Sequence, residues 1–210
     1  MSEVIIYGLP LSTFVQTARI TCNEKGITHK NDPIEFGSEI QKKLHPWGKI
    51  PVMDHGGVRL FETSAICHYI DKAFEGPALQ PSDAATLGLM EQWVSIVGSY
   101  LYPGSISGYA LHYILPRGED GKPDRKAIEA GLPRVKHDYE LLDKAYQGRK
   151  WIAGDMLTLA DFFVMPVVAT VNMFPEGKEI LSGCGNVMRA YDAMQSRPTY
   201  QAALPAMPVS

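Results

Sequence analysis

Two short stretches carry residue types that could hold a small polar ligand. In the first, Glu62-Thr63-Ser64 follows the apolar run Val58-Arg59-Leu60-Phe61 and opens a helical pattern. Backbone N–H groups at a helix start, together with the helix dipole, favour a carboxylate. A threonine hydroxyl adds a donor, and an acid beside it can pair with a cation. The set matches an amino-acid zwitterion, its carboxylate at the helix start and its ammonium at Glu62. Simple capping of the helix by Thr63 or Ser64 accounts for the same residues. In the second stretch, Gly48-Lys49-Ile50-Pro51-Val52, a proline opens a strand pattern. Proline costs a ladder hydrogen bond and is tolerated at a first strand residue or at an edge. A cis Ile50-Pro51 bond would instead leave the Ile50 N–H and C=O free to pair with a ligand that has a peptide backbone. Both stretches fall on one predicted hairpin, and both suit a peptide with a free α-amino-acid end.

Composition narrows the partners. A formal charge of -3 with no basic run gives no electrostatic reason to expect nucleic acid or an anionic membrane. The least polar stretch, Phe162 to Phe174, contains Pro166, Thr170 and Asn172 and falls short of the roughly 18 apolar residues of a membrane span. The start, Met1-Ser2-Glu3, has no basic region leading into an apolar segment, so no signal peptide is expected. Cys22, Cys67 and Cys184 are odd in number and scattered, which points to a reduced, cytoplasmic protein with packed thiols. The six histidines show no metal-ligand spacing, so no metal site is expected.

These residues need elements to place them. Val4-Ile5-Ile6-Tyr7, closed by Gly8 and Pro10, reads as a buried strand. Ser12 or Thr13 caps a helix that runs to Lys25 and stops at Gly26. A weaker strand spans Thr28 to Ile34, and a hairpin pairs residues 51–54 with 58–61. A helix to about Phe74 follows, with Ile66, Tyr69, Ile70 and Phe74 on one face. The order describes a small α/β domain over residues 1–76, and residues 75–83 read as a linker. From 84 to 210 the periodicity is helical: Leu87, Met90, Trp93, Val94 and Val97 share a face, as do Ile128, Leu132, Val135, Leu142 and Ala145. Pro133 is expected to kink or divide the second of these helices. Thr158-Leu159-Ala160-Asp161 has the form of a capping box before an apolar helix bent at Pro166. The predicted fold class is an α/β domain joined to an all-α domain.

In order and spacing, Tyr7-Gly8-Leu9-Pro10-Leu11-Ser12, Arg19, Glu24-Lys25-Gly26, Gly48-Lys49-Ile50-Pro51-Val52 and Glu62-Thr63-Ser64-Ala65-Ile66 resemble the glutathione-binding domain of cytosolic glutathione S-transferases. Thr158-Leu159-Ala160-Asp161 and Arg197-Pro198 resemble landmarks of that family's helical domain. The resemblance implies a thioredoxin-like N-terminal domain with a cis-proline, a helical C-terminal domain and a homodimer. It also implies that Glu62 and Thr63 grip the γ-glutamyl group of glutathione, that Ile50, fixed by Pro51, pairs with the cysteinyl backbone, and that Lys49 attracts the glycine carboxylate. Ser12 falls where the serine-using tau and phi classes place the residue that hydrogen-bonds the sulfur; Thr13 is its rival and Tyr7 lies five positions earlier.

The same resemblance puts an acceptor-substrate pocket between the domains, with Leu11, Tyr102, Tyr109 and Tyr113 as candidate lining, although aromatics at such spacing also serve core packing. It implies glutathione as co-substrate and no further cofactor. Conjugation of glutathione to hydrophobic electrophiles is the expected activity. A non-catalytic ligand-binding member of the fold, or a glutathione-dependent peroxidase or isomerase, would carry the same residues.

Overall fold

In the computed structural model, which describes residues 3–205, the chain divides into two units: residues 3–80 together with 195–205, and residues 81–194. In the first, β1 (Val4–Tyr7), α1 (Thr13–Glu24), β2 (His29–Asp32), α2 (Glu39–Leu44), β3 (Val52–His55), β4 (Val58–Phe61) and α3 (Thr63–Ala73) follow one another. The sheet order is β2-β1-β3-β4. β1 and β2 are parallel, so their connection needs a crossover, which α1 supplies. β3 and β4 are antiparallel and joined by Gly56-Gly57, both at positive φ (57° and 86°), as a two-residue hairpin turn requires. Val4, Ile6 and Met53 of the sheet, Val15, Ala18 and Cys22 of α1, and Ile66 and Ile70 of α3 form one core. The helical spacings 15–18–22 and 66–70 are what lay α1 and α3 on one face of the sheet. This is the expected thioredoxin-like arrangement.

Pairing register fixes where the loops emerge. Tyr7 stands opposite Val52, and Val52 opposite Phe61. The end of β1, the start of β3 and the end of β4 therefore lie side by side, and the segments around Ser12, Ile50 and Glu62 all leave the sheet at that end.

Two boundaries differ from the sequence reading. Residues 75–80 are fastened rather than a free linker: Asp71, buried against Lys25 (3.2 Å), also accepts from the Leu79 N–H (3.0 Å) and from Gln80 (2.8 Å). Lys25 in turn donates to the Pro77 carbonyl at 3.0 Å. The chain's last described stretch likewise joins the first unit, not the helical one, for the reason given below.

The helical unit opens with α4 (Ala84–Ile96), which runs without a break into a π-helical segment, Val97–Ala110, and a last turn, α5 (Leu111–Ile114). Pro103-Gly104 lies inside this π-helical segment. Against this segment packs α6 (Arg125–Tyr146), so closely that a Cβ on Gly131 would stand 2.4 Å from the Gly108 carbonyl oxygen. α6 is not divided at Pro133, whose exposed position leaves the carbonyl freed one turn earlier to water. α7 (Leu159–Val171) is buried at every residue from Leu159 to Val168, which makes it the centre of this unit, and it continues through Pro166. Its start carries the expected capping box. The buried Asp161 carboxylate accepts from the N–H groups of Thr158 (3.1 Å) and Ile152 (2.9 Å) and from the hydroxyls of Thr158 and Tyr146 (both 3.3 Å). Burial pushes this carboxyl up to about 6 while the four donors pull it down. α8 (Pro175–Ser182) and α9 (Gly185–Gln195) follow.

The short α10 (Pro198–Gln201) returns to α1 in the first unit. Arg197 forks onto the buried Glu24 carboxylate at 2.8 and 2.6 Å, Thr199 also bonds Glu24, and Asn23 donates to the Thr199 carbonyl (2.8 Å). Arg19 reaches the Ala203 carbonyl at 2.7 Å. Cys22, Cys67 and Cys184 are free and buried, and burial pushes the Cys67 thiol up to about 12 and that of Cys22 further, so all three serve packing.

Candidate glutathione-binding site

The first arm is the connection from β1 to α1. Gly8, at φ 142°, is the residue that lets it form: a Cβ there would lie 2.6 Å from Val15 Cγ2 and 3.0 Å from Ile50 Cβ. This close approach sets the arm directly against Ile50. Asn31 donates to the Ile6 and Gly8 carbonyls (3.0 Å each), and Gln16 donates to the Pro10 carbonyl at 3.2 Å, which stiffens the turn. Ser12 takes the cap position of α1 (φ −66°, ψ 125°), and its Oγ accepts from the Val15 N–H at 3.4 Å. That bond occupies a lone pair and leaves the hydroxyl proton for another acceptor. Ser12 is half-buried, whereas Thr13 is only 4% exposed and its Oγ1 is sealed from solvent. Tyr7 has its hydroxyl committed: it donates to Asp54 at 3.3 Å, and burial and the Asp54 charge raise its pKa.

The second arm leads into β3. The Ile50-Pro51 bond is cis, and among the described residues the Ile50 N–H and C=O have no main-chain partner. Lys49 is exposed.

The third arm is the β4–α3 turn. Glu62, not Thr63 or Ser64, holds the cap position, because the chain turns from strand to helix within that one residue at φ 69°, ψ 113°. Such a conformation is strained for any residue but glycine, and strain of this kind is kept where surroundings or function demand it. No side chain caps α3, so its first N–H groups face outward with the positive end of the helix dipole behind them. Glu62 is exposed and Thr63, at 8% exposure, opens the helix. Two helix starts and an exposed acid thus share one end of the sheet with an unpaired strand-like main chain at Ile50. That set offers donors to two anionic groups, a partner for a cation and a docking edge for a peptide.

A family model described as "Glutathione S-transferase, N-terminal domain" matches residues 6–78, and one described as "Glutathione S-transferase, C-terminal domain" matches residues 105–198. The chain belongs to the glutathione S-transferase family. It is similar to Glutathione S-transferase 3 of Zea mays, with 26% identity over 216 residues, covering 100% of this chain and 96% of that protein. It is also similar to Glutathione S-transferase PM239X14 of Arabidopsis thaliana, with 29% identity over 182 residues, covering 81% of this chain and 83% of the relative. The solved structure of glutathione S-transferase III in its apo form matches with a TM-score of 0.84 at 26% identity, over 98% of this chain and 100% of that one.

In the helical unit, Tyr109 and Tyr113 make specific contacts within that unit. Tyr109 has no exposed surface; its hydroxyl donates to Glu176 (3.1 Å) and accepts from the Gly177 N–H (2.9 Å). Tyr109 is thus packed inside the helical unit. Tyr113 donates to Glu176 at 2.7 Å, accepts from Arg125 at 2.6 Å and stacks on Phe174 with ring centres 4.4 Å apart. Burial works to raise the Glu176 pKa, but the bonds from Tyr113 and Arg125 outweigh it and hold it at about 2. The cluster ties α5, α6 and α8 together. Tyr102 is half-buried, and Leu11, 57% exposed, sits on the β1–α1 arm of the first unit. One residue beside these arms escaped the sequence reading altogether. His45 lies buried beside the second and third arms, close enough that the charges of both Lys49 and Glu62 act on it.

Proposed function

We propose that the protein conjugates glutathione to apolar electrophiles, with Ser12 as the hydroxyl that donates to the glutathione sulfur. The observation that carries this reading is the register Tyr7–Val52–Phe61, which brings the Ser12, Ile50 and Glu62 arms out at one end of the sheet. Glu62 and Thr63 take the γ-glutamyl ammonium and carboxylate, Ile50 beside cis-Pro51 pairs with the cysteinyl backbone, and Lys49 attracts the glycine carboxylate. Ser12 is favoured over Thr13 because it is only half-buried, whereas the Thr13 hydroxyl is sealed from solvent. The bound thiolate then attacks the electrophilic carbon: the S–C bond forms, the leaving group departs with the electron pair of its old bond, and the thiol proton goes to solvent. Glutathione is the co-substrate, and the step calls for no further cofactor.

The test is an assay of electrophiles and organic peroxides with and without glutathione. Glutathione-dependent loss of an electrophile with formation of the thioether is the expected result. Turnover of peroxides alone would move the reading to a peroxidase, and binding without turnover to a non-catalytic member. We further propose a cytoplasmic homodimer. Exposed apolar surface supports association: Trp47 (71% exposed) on the first unit, and on the helical unit a groove of about 450 Å³ lined by Trp93, Ile96, Tyr100 and Leu141. Light scattering at micromolar concentration should report twice the chain mass, and a monomer would contradict the assembly without touching the glutathione site.

A further inference from the structure

His45 ends α2 at its C-cap (φ −129°, ψ 120°), with its own N–H on the Gln41 carbonyl at 2.9 Å. It is 2% exposed. Its Nδ1 accepts from the Trp47 N–H at 3.1 Å, and its carbonyl accepts from the Gly48 N–H at 2.9 Å. One residue therefore shapes the turn that delivers Lys49 and Ile50. The same imidazole packs on the ring of Phe61, centres 4.7 Å apart, and Phe61 immediately precedes the strained Glu62. Trp47 lies edge-on to it at 6.2 Å. Its side chain thus bonds the turn before Lys49 and packs at the root of the Glu62 turn, where the Trp47 ring also meets Phe61, centres 6.0 Å apart.

A ring nitrogen that accepts an N–H cannot also carry a proton. We propose that His45 is a positioning residue of the glutathione site, which holds the Lys49–Ile50 arm in register with the Glu62 turn only while its imidazole is neutral. This role rests on the glutathione site proposed above. The charged groups acting on the ring are Glu62, which favours its protonation, and Lys49, which opposes it; burial is the largest influence and keeps the ring neutral to below the ordinary histidine range. As pH falls through that value, Nδ1 turns from acceptor to donor and meets the Trp47 N–H head-on. The turn then loses its side-chain tie, and the two arms no longer hold one spacing. Asparagine can replace the tie without titrating, since its side-chain carbonyl accepts from the N–H two residues on in an Asx turn. Phenylalanine keeps the ring on Phe61 but has no acceptor.

The experiment follows the Trp47 amide by NMR over falling pH without ligand, then measures S-methylglutathione dissociation constants by calorimetry for wild type, His45→Asn and His45→Phe at pH 7.0 and at a pH below the midpoint of the wild-type amide titration. The methylated sulfur carries no proton, so the thiol that Ser12 activates adds no pH dependence of its own. At the lower pH wild type should lose affinity about fivefold or more, the worth of one buried hydrogen bond. His45→Asn should bind at pH 7.0 like wild type and hold that affinity at the lower pH. His45→Phe should be weak at both, with KM for glutathione raised and turnover at saturation changed less. The Trp47 amide should titrate in wild type and stay flat in His45→Asn. Identical pH dependence of affinity in wild type and His45→Asn overturns the role, as does a folded His45→Phe that binds normally. Should His45→Phe fail to fold, the His45→Asn comparison and the amide titration decide. A wild type that binds no glutathione at pH 7.0 overturns the site itself, an outcome distinct from one in which binding is present and only His45 is irrelevant to it.

Discussion

Ser12→Ala should raise the pKa of bound glutathione by about one to two units and slow conjugation about ten- to a hundredfold at pH 7. A free thiol titrates near 8.5, so only a few per cent is thiolate at neutral pH. Ser12 caps α1 and spends a lone pair on the Val15 N–H, so its proton points to whatever anion lies before the helix. Both that hydroxyl and the dipole of α1 favour the charged sulfur. One hydrogen bond to a charged group is worth about 1.5–3 kcal/mol, which sets the size of the shift. Glutathione affinity should change far less, because the peptide is gripped by the other two arms. Ultraviolet titration of the bound thiolate reads the shift directly. Equal pKa values in wild type and Ser12→Ala would remove Ser12 from the mechanism; a shift in Thr13→Ala alone would pass the role to its neighbour, against the burial of its hydroxyl.

The γ-glutamyl grip should fail more completely still in the double variant Glu62→Gln, Thr63→Ala. Each side chain is assigned a charge-assisted bond of about 1.5–3 kcal/mol, so the dissociation constant should rise at least tenfold. The uncapped N–H groups of α3 remain, which is why some binding should persist. The variant should fold, since neither side chain caps α3 and Glu62 is exposed. Calorimetry on the folded variant that returns wild-type affinity would remove the proposed site from this end of the sheet.

Much of the first unit was legible because its signals are local. The Val4–Tyr7 run, the Ser12 cap, Gly56-Gly57 between two apolar strands and the 66–70 spacing each report on neighbours a few residues away. The turn at Glu62 was not, because nothing in a glutamate announces a positive φ, and Thr63 and Ser64 are better caps on sequence grounds. His45 stayed hidden for another reason: its meaning comes from Phe61, on a strand 16 residues further along. Of the two outcomes expected at Pro133, division of the helix does not occur: an exposed proline can leave the carbonyl it frees to water, and the helix continues. Glu24 with Arg197, and Asp71 with Lys25, pair across distances that no periodicity links, and they moved both boundaries. The aromatic residues Tyr102, Tyr109 and Tyr113 gave an ambiguous signal, and Tyr109 is buried.

The return of α10 to α1 has a bearing on how the protein comes into being. Glu24 is only 8% exposed, and its counter-charge is supplied by Arg197, near the far end of the chain. Until that arginine arrives, a buried carboxylate must stay solvated or go unpaired, which a folded α1 cannot cheaply allow. During synthesis on the ribosome, the strands and helices that would grip glutathione emerge first, yet a supporting piece is translated only after the whole helical unit. The order of manufacture is therefore not the order of completion: the N-terminal unit waits, unfinished, until the helical unit has been made.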